Sequence, residues 1–418
     1  MRCRIHRGCH EIGGNCVEVE SEGKRIVLDI GHPLKNDKNA KIPDISGLRS
    51  PDESLLGIFI SHPHPDHYGF LEEVTEPVPV YMGPAAYRII GVSAYFTLLP
   101  SAGETEPAAY VVGEPIEIGP FTVTPFPIDH SAHDSYCLLI EANGKRLLYS
   151  GDIRGHGRNP EFFQELITNP PPDIDVLICE GTQVGRIANF DYPTEYSVAD
   201  RMLEIFNETA GMCLAWCSGQ NIDRLISIWQ ATQKSGRQLV LDLYTAEVIK
   251  AAKDDSLPTP GKDGVKVYVP SSQRSKIIRN DDIPRLNSYY PCRIYAQKRE
   301  PTGPADLEDM ASSTVLIFRP SMLSDFKETT CLDGARLISS MWSGYVHEHD
   351  RDLLEMTRMG IERDHVHTSG HATVDELQQF IDGIDADRIV PIHLEDREGF
   401  AKFSDRVDFK DDHEWWDV

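Results

Sequence analysis

The chain has 418 residues, 40% of them hydrophobic and 26% charged, which suits two or three domains with a substantial core. Its formal net charge of -25 argues against a protein that grips nucleic acid over a broad basic surface, because such binding draws on displaced phosphate counterions. The N-terminus MRCRIHRGCH lacks an apolar signal core, and no run approaches the roughly 18 apolar residues of a membrane span, so a cytoplasmic protein with no membrane partner is expected. In chain order, CHEIGGNCVEVESEGKRIVLDIGH alternates apolar and polar residues around Gly23 and Lys24 and predicts a β-hairpin ending at Asp29 and Gly31. Strand-like runs follow: GIFI before a histidine cluster, FTVTPFPI before Asp129 and His130, KRLLYS before Gly151 and Asp152, DVLIC before Glu180, and RIVPI before His393. Each polar residue sits past a strand end, where loops on a rigid sheet carry function.

Between about 190 and 345 the pattern changes. MCLAWC, SGQNIDRLISIWQATQKSG, RQLVLDL and YTAEVIKAA alternate strand and helix and predict a parallel sheet of their own. DDSLPTPGKDG reads as a loop, the stretch from Asn280 to Glu308 is ambiguous, and STVLIF and RLISSM read as returning strands. The nine cysteines are scattered and odd in number, the pattern of reduced thiols and not of a disulfide framework.

The stretch SHPHPDH places His62, His64, Asp66 and His67 within six positions, with Pro63 and Pro65 between them. Imidazoles and a carboxylate packed this closely repel, or need costly partners when buried. A metal accounts for all four: imidazole nitrogen and carboxylate oxygen suit zinc, with manganese or iron as alternatives. The prolines stiffen the backbone so that alternate side chains diverge toward two centres.

SHPHPDH resembles the signature of the metallo-β-lactamase superfamily, and later motifs resemble its β-CASP branch, ribonuclease J-like nucleases most of all. IDHSAHDSY is similar to that group's His-Ser tract, YSGD to its bridging-carboxylate motif, CEGT to its acidic motif, and HTSGHA and VPIHLE to its last two histidine motifs. The 241 positions between Asp152 and His393 match the insertion that β-CASP members carry. The resemblance implies an α/β fold: a four-layer αββα metallo-β-lactamase sandwich from residues 1–190 and 346–418, with a β-CASP α/β domain over 191–345. It implies two metal ions, zinc first, one held by His62, His64 and His130, the other by Asp66, His67 and His393, with Asp152 bridging. It further implies that Asp66, Asp152, Glu180 and His371 serve catalysis: a metal-bridging hydroxide attacks phosphorus, and His371, oriented by Glu180, protonates the leaving oxygen to give a 5′-phosphate and a 3′-hydroxyl.

A histidine at position 393 resembles the RNA-processing members, so single-stranded RNA is the expected partner, with DNA as an alternative. Two positions depart from ribonuclease J: His133 stands where those enzymes have proline and Leu394 where they have glycine. The chain runs 25 residues beyond His393, where they carry a further domain associated with oligomer formation. A homo-oligomer stays open. Ser218 and Asn221, where a strand turns into a helix, and Ser343 and Ser369 are candidate substrate contacts, since a helix N-terminus can hold a phosphate. His133 and His156 are not taken as ligands, and Trp415 and Trp416 are expected to dock on the body or lie at a subunit contact. A hydrolase of DNA, of a small phosphodiester or of an ester is the first alternative, and a non-catalytic β-CASP partner subunit the second, which the full ligand set disfavours.

Overall fold

The computed structural model describes residues 1–34, 40–103, 106–186, 191–262, 264–296 and 306–418. The sequence-expected boundary near 190, residue 263 of the predicted loop and residues 297–305 of the ambiguous stretch lie outside them. Two compact units divide the chain: Met1–Asn189 with Gly370–Val418, and Phe190–Ser369.

The first unit holds two sheets. One has seven strands in the order Trp415–Asp417, Arg2–Arg7, Cys16–Ser21, Lys24–Leu28, Leu55–Phe59, Val80–Met82, Ala108–Ala109. The other has six, in the order Arg388–Ile392, Val176–Glu180, Lys145–Tyr149, Tyr136–Ala142, Phe121–Pro127, Ile116–Ile118. Side chains alternate across a strand, and the alternation assigns each residue to a layer. Val17, Val19, Ile26 and Leu28 of the first sheet share one buried cluster with Val123, Leu138, Ile140, Tyr149 and Ile178 of the second. Their neighbours Cys16, Val27 and Ile58 face away, packing with Tyr68 and with Ile90 of the helix Pro84–Phe96. On the far side of the second sheet, Leu139, Leu148 and Leu177 pack with Phe163 of the helix Pro160–Thr168 and with Leu377, Phe380 and Ile381 of the helix Val374–Ile384. Helix, sheet, sheet, helix is the four-layer αββα sandwich, and strands covered on both faces explain why their sequences read as continuous apolar runs. Trp415 and Trp416 do dock: their strand pairs with Arg2–Arg4, and the guanidiniums of Arg2 and Arg4 each lie 4.6 Å from the Trp415 ring centre.

The second unit carries a seven-stranded parallel sheet in the order Arg293–Ile294, Lys266–Tyr268, Gln238–Asp242, Thr314–Ile317, Cys213–Trp216, Arg336–Ser339, Glu362–His365. The helix Ile222–Lys234 crosses from Cys213–Trp216 to Gln238–Asp242, as the alternation predicts. One boundary needs correction. The sequence reading returns to the first domain at 346, but Glu362–His365 pairs with Arg336–Ser339 and Leu353 and Met356 pack into this unit's core, so the second unit runs to Ser369. All nine cysteines are free and buried, and none enters a metal-ligating group among the described residues. No described helix is long and apolar enough to cross a membrane.

Candidate metal centre

Strand ends supply the site. Past the strand Leu55–Phe59 the chain reaches His62 and His64, and Pro65 then opens the one-turn helix Pro65–Tyr68. Proline is well placed at a first helical position, where its missing N–H has no intrahelical partner to lose. The turn sets Asp66 and His67 side by side, both buried. His130 follows Phe121–Pro127, Asp152 follows Lys145–Tyr149, Glu180 is the last residue of Val176–Glu180, and His393 follows Arg388–Ile392. The last three strands are parallel neighbours, so their carboxyl ends open on one edge. His393 adopts φ 56°, a left-handed conformation that non-glycine residues hold only where the surroundings impose it. Here its N–H donates to the Gly8 carbonyl at 2.8 Å.

The side chains converge in three groups, one of them Asp152, Glu180, His371 and His393. Donor atoms of His62, His64, His130 and Asp152 all lie within 4.8 Å of one another, and so do those of Asp66, His67 and His393. Asp152 faces both: its Oδ2 is 3.5 Å from His62 Nε2, 3.8 Å from His130 Nε2 and 3.3 Å from His67 Nε2, while its Oδ1 is 3.8 Å from His393 Nδ1. His393 Nε2 lies 3.2 Å from Asp66 Oδ2, and the rings of His67 and His393 are 5.4 Å apart. Apart from half-buried His64 these residues are buried, yet His62 Nε2, His67 Nε2, His130 Nδ1 and both carboxylate oxygens of Asp152 have no hydrogen-bond partner. Each such atom costs about 1–3 kcal/mol, and more when charged. Divalent cations ligated by His62 Nε2, His67 Nε2 and the Asp152 oxygens would remove that cost there, so these donors fit them in chemistry and placement.

The electrostatics of the first group favour ligation. Burial, reinforced by the neighbouring imidazoles, holds His62 and His130 well below the ordinary histidine range and His64 down to about 4, keeping the neutral form that metal ligation requires. Burial pulls His67 down too, but the carboxylates of Asp152, Asp29 and Asp66 outweigh it and raise the imidazole well above its usual range. Burial raises Asp66, and His67 and His393 more than reverse that, leaving it at about 2.

Around the ligands lies a shell that the sequence did not single out. Asp29 Oδ2 accepts from the Tyr149 hydroxyl at 2.7 Å and from Ser61 Oγ at 2.8 Å, and sits 2.7 Å from His67 Nδ1. Its Oδ1 accepts from Ser61 N at 2.7 Å. Thr182 Oγ1 is 2.8 Å from His393 Nδ1. Asp29 was legible as one more acidic residue past a strand end, and Thr182 as a member of CEGT. Asp134 pins the His130 loop: its Oδ2 accepts from Ala85 N and Ala86 N at 2.7 and 3.0 Å, capping a helix whose own cap residue, Gly83, has no side chain to offer.

Glu180 and His371 lie against the candidate ligands. Glu180 accepts from Ile153 N at 2.8 Å and from Thr182 N at 3.2 Å, and its Oε2 is 3.2 Å from His371 Nδ1. The same nitrogen is 3.6 Å from Asp152 Oδ2, and the His371 side chain keeps 22% of its surface exposed. Burial lowers the pKa of His371, and the carboxylates of Glu180 and Asp152 more than offset it, so the net direction is upward. Ser218, Asn221, Ser343 and Ser369 belong to the second unit. There the Asn221 side chain caps the helix Ile222–Lys234 by accepting from Arg224 N at 3.0 Å, Ser218 Oγ accepts from Gln220 N at 3.3 Å, and Ser343 opens the helix Ser343–His347.

Residues 11–177 match the family model of the metallo-beta-lactamase superfamily. Among curated proteins, the chain is 23% identical over 364 residues to ribonuclease J of Sinorhizobium meliloti, covering 85% of this chain and 60% of that protein. It is 24% identical over 425 residues to ribonuclease J of Pyrococcus abyssi, covering 93% and 89%. The chain thus spans well under two thirds of the length of several of these relatives, 35% in the case of ribonuclease J of Helicobacter pylori. Among solved structures, a protein of unknown function from Enterococcus faecalis V583 has the same fold, with a TM-score of 0.77 at 20% identity over 99% of each chain. With its αββα sandwich, the first unit has the metallo-β-lactamase fold, and the chain is similar to ribonuclease J.

Proposed function

We propose that the chain is a metal-dependent phosphodiesterase that hydrolyses single-stranded RNA. The observation that carries this is the convergence of seven ligand-type side chains, all but His64 buried and several with donor atoms left unsatisfied. His62, His64 and His130 would hold one ion, Asp66, His67 and His393 the other, with Asp152 shared. Two zinc ions, or manganese or iron, would supply Lewis-acid stabilisation of the entering and leaving oxygens and lower the pKa of water toward neutrality. Glu180 turns the His371 ring by holding its Nδ1 side, and the ring's partial exposure lets His371 give a proton to the departing 3′-oxygen, leaving a 5′-phosphate and a 3′-hydroxyl. The ribonuclease J relatives support RNA as the substrate class. The second unit is assigned as the β-CASP domain, with Ser218, Asn221, Ser343 and Ser369 as its phosphate contacts.

The net charge of -25 favours one second reading, a small phosphodiester or ester as substrate, because such a molecule needs no basic track. Incubating the zinc- or manganese-loaded protein with end-labelled single-stranded RNA, matched DNA and bis(p-nitrophenyl) phosphate separates the two. Cleavage of RNA with new 5′-phosphate ends is expected. Hydrolysis of the small ester with RNA left intact would overturn RNA as the substrate.

A further inference from the structure

The loop that carries Asp152 and the turn that carries His371 come from the two separate segments of the first unit, and contacts outside the centre join them. The first is backbone: Ala372 N donates to the Ile153 carbonyl at 2.6 Å. The second is a contact between two side chains. His156 Nδ1 lies 2.8 Å from Glu376 Oε2 and 3.1 Å from Oε1, with side-chain exposures of 6% for the histidine and 14% for the glutamate.

Glu376 has a double task. It occupies the third position of the helix Val374–Ile384, where its Oε2 also accepts from Thr373 N at 2.8 Å while Thr373 Oγ1 accepts from Glu376 N at 3.1 Å, a reciprocal cap. The cap fixes where the helix starts, two residues after His371. His156 fastens the Asp152 loop to that start. The approach is close: a Cβ on Gly155 would meet Glu376 Oε1 at 3.1 Å and the Phe163 ring at 2.9 Å, so a residue without a side chain brings the loop into reach. The circuit closes through Glu180, whose Oε1 accepts from Ile153 N at 2.8 Å and whose Oε2 faces His371.

We infer that His156 and Glu376 form a positioning clamp, which sets the His371 imidazole against Glu180 and Asp152 without either clamp residue touching a metal or the substrate. Neither belongs to a ligand group among the described residues. The inference rests on the assignment of His371 as the proton donor. A proton donor acts within hydrogen-bond reach of the atom it serves, and displacement by about 1 Å can cost on the order of a hundredfold in rate.

The test uses the full-length, metal-loaded protein with His156→Ala and His156→Asn. Asparagine keeps an N–H donor near the position of Nδ1; alanine removes it. His156→Ala should lower kcat for RNA by about tenfold or more, with KM and bound metal as in the parent, and amide hydrogen exchange across residues 370–376 should quicken. His156→Asn should restore most of the rate and the protection. An alanine variant with the parent's kcat and exchange, or one that loses metal in step with activity, overturns the clamp. If the parent itself leaves RNA intact, the proposed function falls, and the exchange measurement still decides whether the clamp exists.

Discussion

Asp29 Oδ2 stands 2.7 Å from His67 Nδ1, both side chains fully buried. The contact leaves Nε2 as the end of the ring that points at Asp152, and a carboxylate on the far nitrogen fixes the tautomer of a ligating histidine and raises its basicity. Asp29→Ala should therefore weaken metal binding by about 10–100-fold, read as loss of zinc to a competing chelator. Asp29→Asn, which still offers one accepting oxygen, should fall between. Tyr149 and Ser61 donate to the same carboxylate, so the alanine variant should also unfold at lower urea. Unchanged zinc affinity in a folded Asp29→Ala protein would remove Asp29 from the centre.

His371→Ala separates two roles that geometry alone brings close. The imidazole is grouped with Asp152, Glu180 and His393 within 4.8 Å, yet it and His64 are the two histidines of these groups that are not buried. As proton donor, its removal should reduce kcat by about 10²–10⁴-fold while elemental analysis finds the parent's metal content. Loss of one metal equivalent would instead make it a ligand.

Much of this centre was readable because its chemistry is local and its scaffold repetitive. The spacing of His62, His64, Asp66 and His67 needs no tertiary information, and each apolar strand announces the polar residue at its end. Asp29 escaped because an aspartate after a strand is also an ordinary turn residue; only the fold shows His67 and Tyr149 meeting it. His156 and Glu376 are 220 positions apart, and no sequence period links them. The second unit's end was misplaced because Glu362–His365, ERDH, is an edge strand of charged residues without apolar alternation. Edge strands are protected by such charges, and the protection hides them from a hydrophobic pattern.

Glu18 gives a pH prediction away from the metal centre. Fully buried, its carboxylate meets Arg4 Nη2 at 2.6 Å, Arg25 Nη1 at 2.6 Å and His6 Nε2 at 2.8 Å. Burial raises its pKa, but hydrogen bonds from His6, Arg4 and Arg25 more than reverse that and bring it from 4.5 to about 2. A carboxyl whose folded pKa is depressed stabilises the fold fully above its unfolded pKa and loses that contribution as pH falls toward the folded one. The full contribution is about 3 kcal/mol. Urea unfolding at pH 6 and pH 3 should show the parent losing about 2 kcal/mol more than Glu18→Gln. Equal losses would show that Glu18 carries no such linkage.

Thr182 tests the proposed site of the second ion separately from that of the first. Its hydroxyl is 2.8 Å from His393 Nδ1, and the same residue's N–H donates to Glu180 at 3.2 Å. His393 depends on that hydroxyl because its backbone is already held at φ 56° and its other nitrogen faces Asp66. Thr182→Val keeps the volume and the backbone donor while removing the acceptor for Nδ1–H, so the ring gains freedom to turn or change tautomer. Two-step zinc titration should then show one affinity reduced by about tenfold or more and the other, served by His62, His64 and His130, unchanged. Thr182→Ser, which retains the oxygen, should restore the weaker step. Equal weakening of both steps in the valine variant would mean that Thr182 supports the shared Asp152 and not His393 alone.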